Sequence, residues 1–287
     1  MITDTTKGIY LGIIAAVSIA IMGVFVKLIG TSQSNFTILF FRFIISLLIL
    51  LPIMFKDKSF SFKIKFPYQL SVRMIFGFLA IALYFYAIQH IELVNAILLE
   101  SSYPIFVPLV IYILTRNKTN KKVILGILIS FIGIIIVLKP GSDIFQPVSV
   151  IALLAGVCAS ISYVFLKMML FKDKTQMLNL LFYFFLFGSI VPIPFMIFDM
   201  KPIDTYQWFY LVGVGIFGYG YQYLMTKALQ LASVRIISPL IYISVIAGGC
   251  FDWLIWSVTP SYFTLVGTIV TILGGVFVII NRNQVNT

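Results

Sequence analysis

The sequence predicts an all-α integral membrane protein, with ten transmembrane helices arranged as two inverted five-helix repeats. Three observations support this prediction: the composition, ten long apolar segments, and an alternation of basic and non-basic loops. Of the 287 residues, 61% are apolar and 10% are charged, whereas a soluble domain carries about 25% charged residues. Because so few charged side chains cannot cover a water-exposed surface, lipid must be the solvent for much of the chain.

Ten segments are long and apolar enough for a helix of about 20 residues to cross a bilayer. They are apolar all round, whereas the strands of a membrane barrel alternate between apolar and polar residues. In chain order the predicted helices are Gly8–Leu28, Phe36–Met54, Leu70–Ile88, Val94–Leu114, Val123–Leu138, Val148–Met168, Leu178–Phe198, Trp208–Ala228, Ser233–Trp256 and Tyr262–Ile280.

Basic residues predict the orientation of these helices. Loops after even-numbered helices are rich in lysine and arginine, while the other set of loops carries only Lys139 and Lys201. Because cytoplasmic loops carry the excess of positive charge, we predict that both termini are cytoplasmic. The net charge of +11 is interpreted as topogenic, and no nucleic-acid partner is expected. The composition, without a transit-like N-terminus, predicts a bacterial inner membrane.

An internal repeat divides the chain into residues 1–141 and 142–287. The sequence Val24–Lys27 in helix one is similar to Val164–Lys167 in helix six, at an offset of 140 residues. Glycine pairs with one spacing recur in helices five and ten: Gly126 with Gly133, and Gly267 with Gly274. Because each copy has an odd number of helices, the second copy enters the membrane upside down. Such inverted repeats are typical of secondary transporters.

Several local motifs fit one known family. They are Phe40–Phe43 in helix two, Tyr103–Leu109 in helix four, Gly126 to Gly133 closing with Leu138–Gly141, and Ser238–Tyr242 in helix nine. With ten helices in two halves, these motifs resemble the EamA-type branch of the drug/metabolite transporter superfamily. The resemblance covers nearly the whole chain. It implies a central cavity formed mainly by helices one to four and six to nine, with helices five and ten at the periphery, where they often contribute to a homodimer.

The sequence departs from the family pattern at two places. The family often has an acidic residue after the fourth helix and another after the ninth. Here Thr115-Arg116-Asn117 follows helix four, and the nearest acid in helix nine is Asp252. The resemblance therefore assigns no role to acids at those positions.

Charged residues inside predicted helices are the main site candidates, because a charge at mid-helix costs about 2.5–3.5 kcal/mol on insertion scales. Glu100 in helix four is predicted to bind a substrate amine or to take up a proton for coupling; the alternative is a structural ion pair. Arg42 in helix two is predicted to clamp a substrate carboxylate or phosphate. Its alternatives are an internal ion pair and a side chain that reaches the interface.

Other polar and kink-forming residues complete the prediction. Predicted gate or coupling residues are Lys27, Lys167, Arg235 and Asp252, with snorkelling as the alternative for the two lysines and topogenic charge for Arg235. Substrate-binding aromatic and amide side chains are predicted at Tyr103, Tyr163, Gln222, Tyr242 and Trp253. Pro104 and Pro239 are predicted to kink helices that line the site, or to serve packing only.

The predicted function is secondary transport of a small amphipathic metabolite, best an amino acid or an amino-acid-like compound, by alternating access. Alternatives of the same fold are an exporter or importer of drugs, nucleotide-like compounds or vitamins. A channel or membrane scaffold is the alternative from a different class. A membrane enzyme is not expected, because the sequence has one histidine and no HExxH motif. We expect no metal and no cofactor. Without a P-loop, the energy source is either a coupled gradient, such as a proton gradient through Glu100, or the substrate's own gradient in facilitated diffusion.

Overall fold

A computed structural model describes residues 4–57, 62–116, 120–138, 146–173, 177–199, 201–232 and 234–281. Within them the chain forms thirteen α-helices, and short 3-10 turns follow α1 and α11 at Gly30–Ser32 and Ser238–Ile241. The helices are α1 Asp4–Ile29, α2 Asn35–Lys56, α3 Pro67–His90, α4 Leu93–Glu100, α5 Tyr103–Thr115, α6 Lys121–Leu138, α7 Val148–Lys172, α8 Met177–Ile190, α9 Ile193–Phe198, α10 Thr205–Leu231, α11 Val234–Ile237, α12 Tyr242–Trp256 and α13 Tyr262–Asn281.

Nine segments of the described chain are long and apolar enough to cross a membrane. Four of them combine two consecutive elements: α1 with the 3-10 turn at Gly30–Ser32, α4 with α5, α8 with α9, and the 3-10 turn at Ser238–Ile241 with α12. The helix α10 has 27 residues but is less apolar than most of the others, because tyrosine, glycine and glutamine occupy much of it. The protein is therefore an all-helical membrane protein, and the count of ten spans stays a prediction.

The helices begin where the sequence offers caps. The Ser34 hydroxyl accepts a hydrogen bond from the Thr37 amide at the start of α2. At the start of α10, Asp204 and Gln207 form a capping box, in which each side chain accepts a hydrogen bond from the other residue's amide. Between the caps, helices satisfy every backbone group internally, which hydrocarbon requires.

Three predicted helices are interrupted, and this is a departure from the sequence prediction. Helix four was expected to be one span kinked at Pro104, but α4 ends at Glu100 and α5 begins at Tyr103. Pro104 is the second residue of α5, where its missing N–H group leaves no helix bond unmade. The Ser102 hydroxyl instead donates to the Leu99 carbonyl at 2.6 Å, which satisfies a group released by the break. Pro239 similarly lies in a 3-10 turn rather than in a continuous helix.

Glycines allow α6 and α13 to pack closely against each other. A Cβ atom on Gly267 would lie 2.7 Å from the Gly133 carbonyl oxygen, and one on Gly274 would lie 2.8 Å from that of Gly126. The two backbones therefore touch, as small residues permit in membranes. In the rest of the bundle, α1 packs along α10 and α3 packs along α7, so elements of the two sequence halves surround the centre.

Candidate binding cavity

A cavity at the centre of the bundle collects most of the buried charge. Its empty volume, including its open mouth, is about 410 Å³. Six helices line it, from both sequence halves: α1, α2, α3, α4, α7 and α10. The lining residues are Ile19, Met22, Arg42, Arg73, Gly77, Ala80, Ile81, Tyr84, Glu100, Ala159, Ser162, Tyr163, Tyr221 and Gln222.

Arg42 projects into this cavity from α2 and is completely buried. Its guanidinium carbon lies 4.1 Å from the centre of the Phe43 ring. None of its three guanidinium nitrogens has a hydrogen-bond partner among the described residues. A guanidinium group offers five N–H donors in a planar fork that matches a carboxylate or a phosphate. The position is therefore suited to an anionic ligand.

Arg73 of α3 enters the same cavity, and the sequence analysis did not single it out. It is 4% exposed, its guanidinium carbon lies 4.2 Å from the centre of the Phe184 ring, and it donates to the Ser162 hydroxyl. The Ser162 hydroxyl in turn donates to the Arg73 carbonyl at 3.0 Å. One sequence signal was present: Gly77, four residues later, lies on the same helix face and leaves room for a long side chain.

Glu100 is the last residue of α4, so its carboxylate lies at the helix break. The side chain is buried and its hydrogen-bond donor among the described residues is the Ser101 hydroxyl, at a long 3.4 Å. The Ser101 hydroxyl also lies 3.4 Å from that of Ser244, near the start of α12. The two interrupted segments thus meet beside the cavity. A carboxylate in this position can accept hydrogen bonds from an ammonium group or hold a proton.

Two tyrosines, Tyr163 of α7 and Tyr221 of α10, line the cavity with polar hydroxyl groups. The Tyr163 and Tyr221 hydroxyls are hydrogen-bonded to each other. Tyr103 stacks on Tyr163 with ring centres 4.8 Å apart, so Tyr103 supports the cavity from behind without lining it. Tyr84 and Gln222 also line the cavity. Neither the Tyr84 hydroxyl nor the Gln222 amide nitrogen has a hydrogen-bond partner among the described residues.

Two predicted substrate-binding residues lie elsewhere. Trp253 of α12 is 59% exposed on the outside of the bundle, and we remove it from the proposed site. The prediction included Trp253 because it is a hydrogen-bonding aromatic residue within a predicted helix. Tyr242 is buried, but its hydroxyl points at Gly275 of α13 and not at the cavity lining.

The predicted gate residue Lys27 forms an ion pair with Asp252. Its ammonium nitrogen lies 2.7 Å from the Asp252 carboxylate, which is completely buried. The other carboxylate oxygen accepts a hydrogen bond of 2.8 Å from the Val94 amide in the first turn of α4. Lys27 also lies 4.7 Å from the centre of the Trp256 ring. This ion pair therefore ties α1, α4 and α12 together at the end of the bundle where α1 finishes.

A different polar contact ties elements at the opposite end. Lys65, just before α3, pairs with Asp173, just after α7. This pair is exposed, whereas the Lys27–Asp252 pair is enclosed. Lys167, the counterpart of Lys27, is half-buried near the end of α7. The side chain of Arg235 lies outside the described part of the structure.

Comparison with known proteins identifies relatives along the whole chain. The model of the EamA-like transporter family matches twice, over residues 6–139 and 147–280. The pseudopaline exporter CntI of Pseudomonas aeruginosa is 27% identical over 276 residues, which cover 95% of this chain and 96% of the exporter. The S-adenosylmethionine uptake transporter of Rickettsia felis is 24% identical over 275 residues, which cover 95% and 92%. One protein crystal structure aligns over 99% of both chains with a TM-score of 0.66 at 15% identity, which shows a shared fold.

Proposed function

Because this chain belongs to the EamA-like transporter family, we propose that it is a secondary transporter that moves a small amino-acid-like metabolite across a bacterial inner membrane by alternating access. The observation that supports this proposal is the central cavity, in which Arg42 and Glu100 lie buried with opposite charges. A carboxylate and an amine are the two groups that such a pair binds.

The proposal includes ten spans in two inverted halves. The two family matches, over residues 6–139 and 147–280, support a duplicated unit. The helix pairs support it as well. If the two halves are swapped, α1 takes the place of α7 and α10 takes the place of α3, so the pair α1–α10 becomes the pair α7–α3. Both pairs are in contact in the structure. At 27 residues, α10 is about 40 Å long and exceeds the bilayer core of about 30 Å. The predicted boundary between the halves, at residues 141 and 142, lies outside the described residues.

Alternating access requires that each end of the bundle opens in turn. In this structure the Lys27–Asp252 ion pair holds the end where α1 finishes. We propose that this pair separates when that end opens, and that Lys167 and Arg235 serve the other end. The break between α4 and α5 supports this motion, because it places Glu100 where a helix is already interrupted. Substrate bound at Glu100 can thereby affect the helix that the ion pair holds.

Transport by purified protein in proteoliposomes tests the proposal. With a panel of labelled amino acids, nucleosides and vitamins, we expect saturable flux of at least one amino-acid-like compound. Glu100→Gln should reduce this flux about tenfold, equivalent to about 1.4 kcal/mol. The matched control is Glu92→Gln, which makes the same chemical change at the start of α4 and outside the cavity lining.

Two outcomes would contradict the proposed function. Flux that never saturates would indicate a channel rather than a carrier. The absence of flux for every amino-acid-like compound would also contradict it, provided that the thermal transition of the preparation shows that the protein is folded. If Glu100→Gln and Arg42→Ala both keep full flux, these residues are not part of the mechanism.

A further inference from the structure

The cavity contains more positive than negative charge. Of the described residues that line it, Arg42 and Arg73 are cationic and Glu100 is the acid. The two ion pairs found among the described residues, Lys27 with Asp252 and Lys65 with Asp173, involve neither arginine. With all three groups ionised, the lining therefore carries a net charge of +1.

Both arginine side chains are held in place without a carboxylate. The Phe184 ring lies 4.2 Å from the Arg73 guanidinium carbon and 5.8 Å from that of Arg42, so one ring contacts both groups. Aromatic faces attract such cations, but each contributes only about 0.5–2 kcal/mol. Taking a charge out of water costs several kcal/mol. The aromatic contacts therefore orient the two guanidinium groups without compensating their charge.

A glycine beside each arginine makes the space that its side chain occupies. A Cβ atom on Gly77 would lie 2.7 Å from the Ser162 hydroxyl that Arg73 contacts. A Cβ atom on Gly218 would lie 3.2 Å from the Arg42 side chain. The two positions are thus accommodated by the backbone of α3 and α10, which indicates a built site and not two incidental charges.

Resting on the proposed function, we propose that the cargo carries two anionic groups and one protonated amine, with a net charge of −1. Arg42 binds one carboxylate through its unpartnered nitrogens, Arg73 binds the second, and Glu100 binds the ammonium group. The loaded cavity is then neutral. A simple amino acid, with one carboxylate and one amine, leaves one guanidinium group unpaired and is the poorer ligand.

Thermal stabilisation of the full-length protein in detergent tests the proposal, because a ligand of the folded state raises Tm. The amino dicarboxylate probes are L-aspartate, L-glutamate and L-2-aminoadipate, which differ in the distance between the two carboxylates. The comparison probes are L-glutamine, which has one carboxylate, and glutarate, which has no amine. We expect the best amino dicarboxylate to bind at least about tenfold more tightly than both comparison probes, the ratio that about 1.4 kcal/mol gives.

Variants connect this preference to the second arginine. Arg73→Gln should abolish the preference for L-glutamate over L-glutamine while L-glutamine still binds, whereas Arg116→Gln, outside the cavity, should leave it unchanged. If Arg73→Gln does not fold, Arg73→Lys is the second variant. It keeps the charge but not the planar fork, and it should retain part of the preference.

The outcomes separate this inference from the proposed function. Equal binding of L-glutamine and the amino dicarboxylates, or equal binding of glutarate, overturns the inference while the transporter proposal stands. An unchanged preference in a folded Arg73 variant overturns it as well. If no compound in the panel is bound or transported, both proposals are wrong.

Discussion

Gly77 faces the Arg73 guanidinium group so closely that no side chain fits between them. A Cβ atom there would also lie 2.8 Å from the Phe184 ring. We therefore predict that Gly77→Ala displaces Arg73, lowers stability by about 1–3 kcal/mol as overpacking does, and reduces flux of the cargo. Flux and Tm of the purified variant provide the measurement.

Gly220→Ala is the matched control for that substitution. Gly220 also lies in a helix near the centre of the bundle, but the nearest atom to its added Cβ would be the Ser18 hydroxyl at an ordinary 3.6 Å. Alanine is the better helix former by about 1 kcal/mol, so Tm should stay constant or rise. Equal effects of the two substitutions would show that the space beside Arg73 has no special role.

Several of the residues that line the cavity were predicted from the sequence. Arg42, Glu100, Tyr163 and Gln222 were predicted and line it, because polar groups inside apolar segments are conspicuous. Arg73 lies about 9 Å into α3, close to the basic loop before it, and the sequence analysis did not consider it although the predicted helix Leu70–Ile88 includes it.

Tyr221 was missed for a geometric reason. Tyr221 and Tyr223 both lie within the predicted helix Trp208–Ala228, but residues two apart on a helix point about 200° apart. Which of the two faces the cavity depends on how α10 rotates against α7, and that rotation is set by packing rather than by composition.

At the scale of elements, the Lys27–Asp252 ion pair joins α1 to α12 and α4. Removing the lysine leaves a carboxylate buried with one remaining donor, the Val94 amide. We predict that Lys27→Met lowers the free energy of unfolding by about 2–3 kcal/mol, below the 3–5 kcal/mol of a fully enclosed pair because 17% of the lysine side chain is exposed. Thermal unfolding in detergent measures the change.

The double variant Lys27→Met/Asp252→Asn checks the cause of that loss. It removes both charges and keeps an oxygen for the Val94 amide, so it should be more stable than Lys27→Met alone. If the loss of stability in the double variant equals the sum of the losses in Lys27→Met and Asp252→Asn, the pair contributes no coupling energy.

Helix positions were predictable, but helix interruptions were not. The apolar segments located every long helix, since hydrocarbon leaves a chain few other backbone structures. The interruption at Ser101 and Ser102 depends on side-chain hydroxyls that replace helix bonds, and serine is compatible with a continuous helix as well. Proline alone indicated the wrong residue, because Pro104 lies at the start of α5 and not at a kink within one helix.

At the scale of the whole molecule, the two ends of the bundle are predicted to open in turn. Val94 of α4 and Gly249 of α12 adjoin the ion pair, and a Cβ atom on Gly249 would lie 3.5 Å from the Val94 side chain. We predict that Val94→Cys/Gly249→Cys, in a Cys158→Ser/Cys250→Ser background, forms a disulfide on oxidation. Flux should then stop and should return on reduction.

Binding supplies the control for this cross-link. The oxidised protein should still bind a ligand that reaches the cavity from the other end, which shows that the fold is intact. Full flux with the disulfide quantitatively formed would contradict the proposal that α4 and α12 separate during transport.

The two guanidinium groups have no carboxylate partner among the described residues, and this also affects how the empty carrier reorients. Once the cargo has left, the cavity holds a charge that nothing in its lining neutralises, and closing the protein around it is electrostatically unfavourable. Reorientation of the vacant carrier should consequently be slower than reorientation of the occupied one. Vesicles preloaded with unlabelled cargo would then take up label faster than vesicles loaded with buffer, so this protein would behave as an exchanger even where no partner substrate is required.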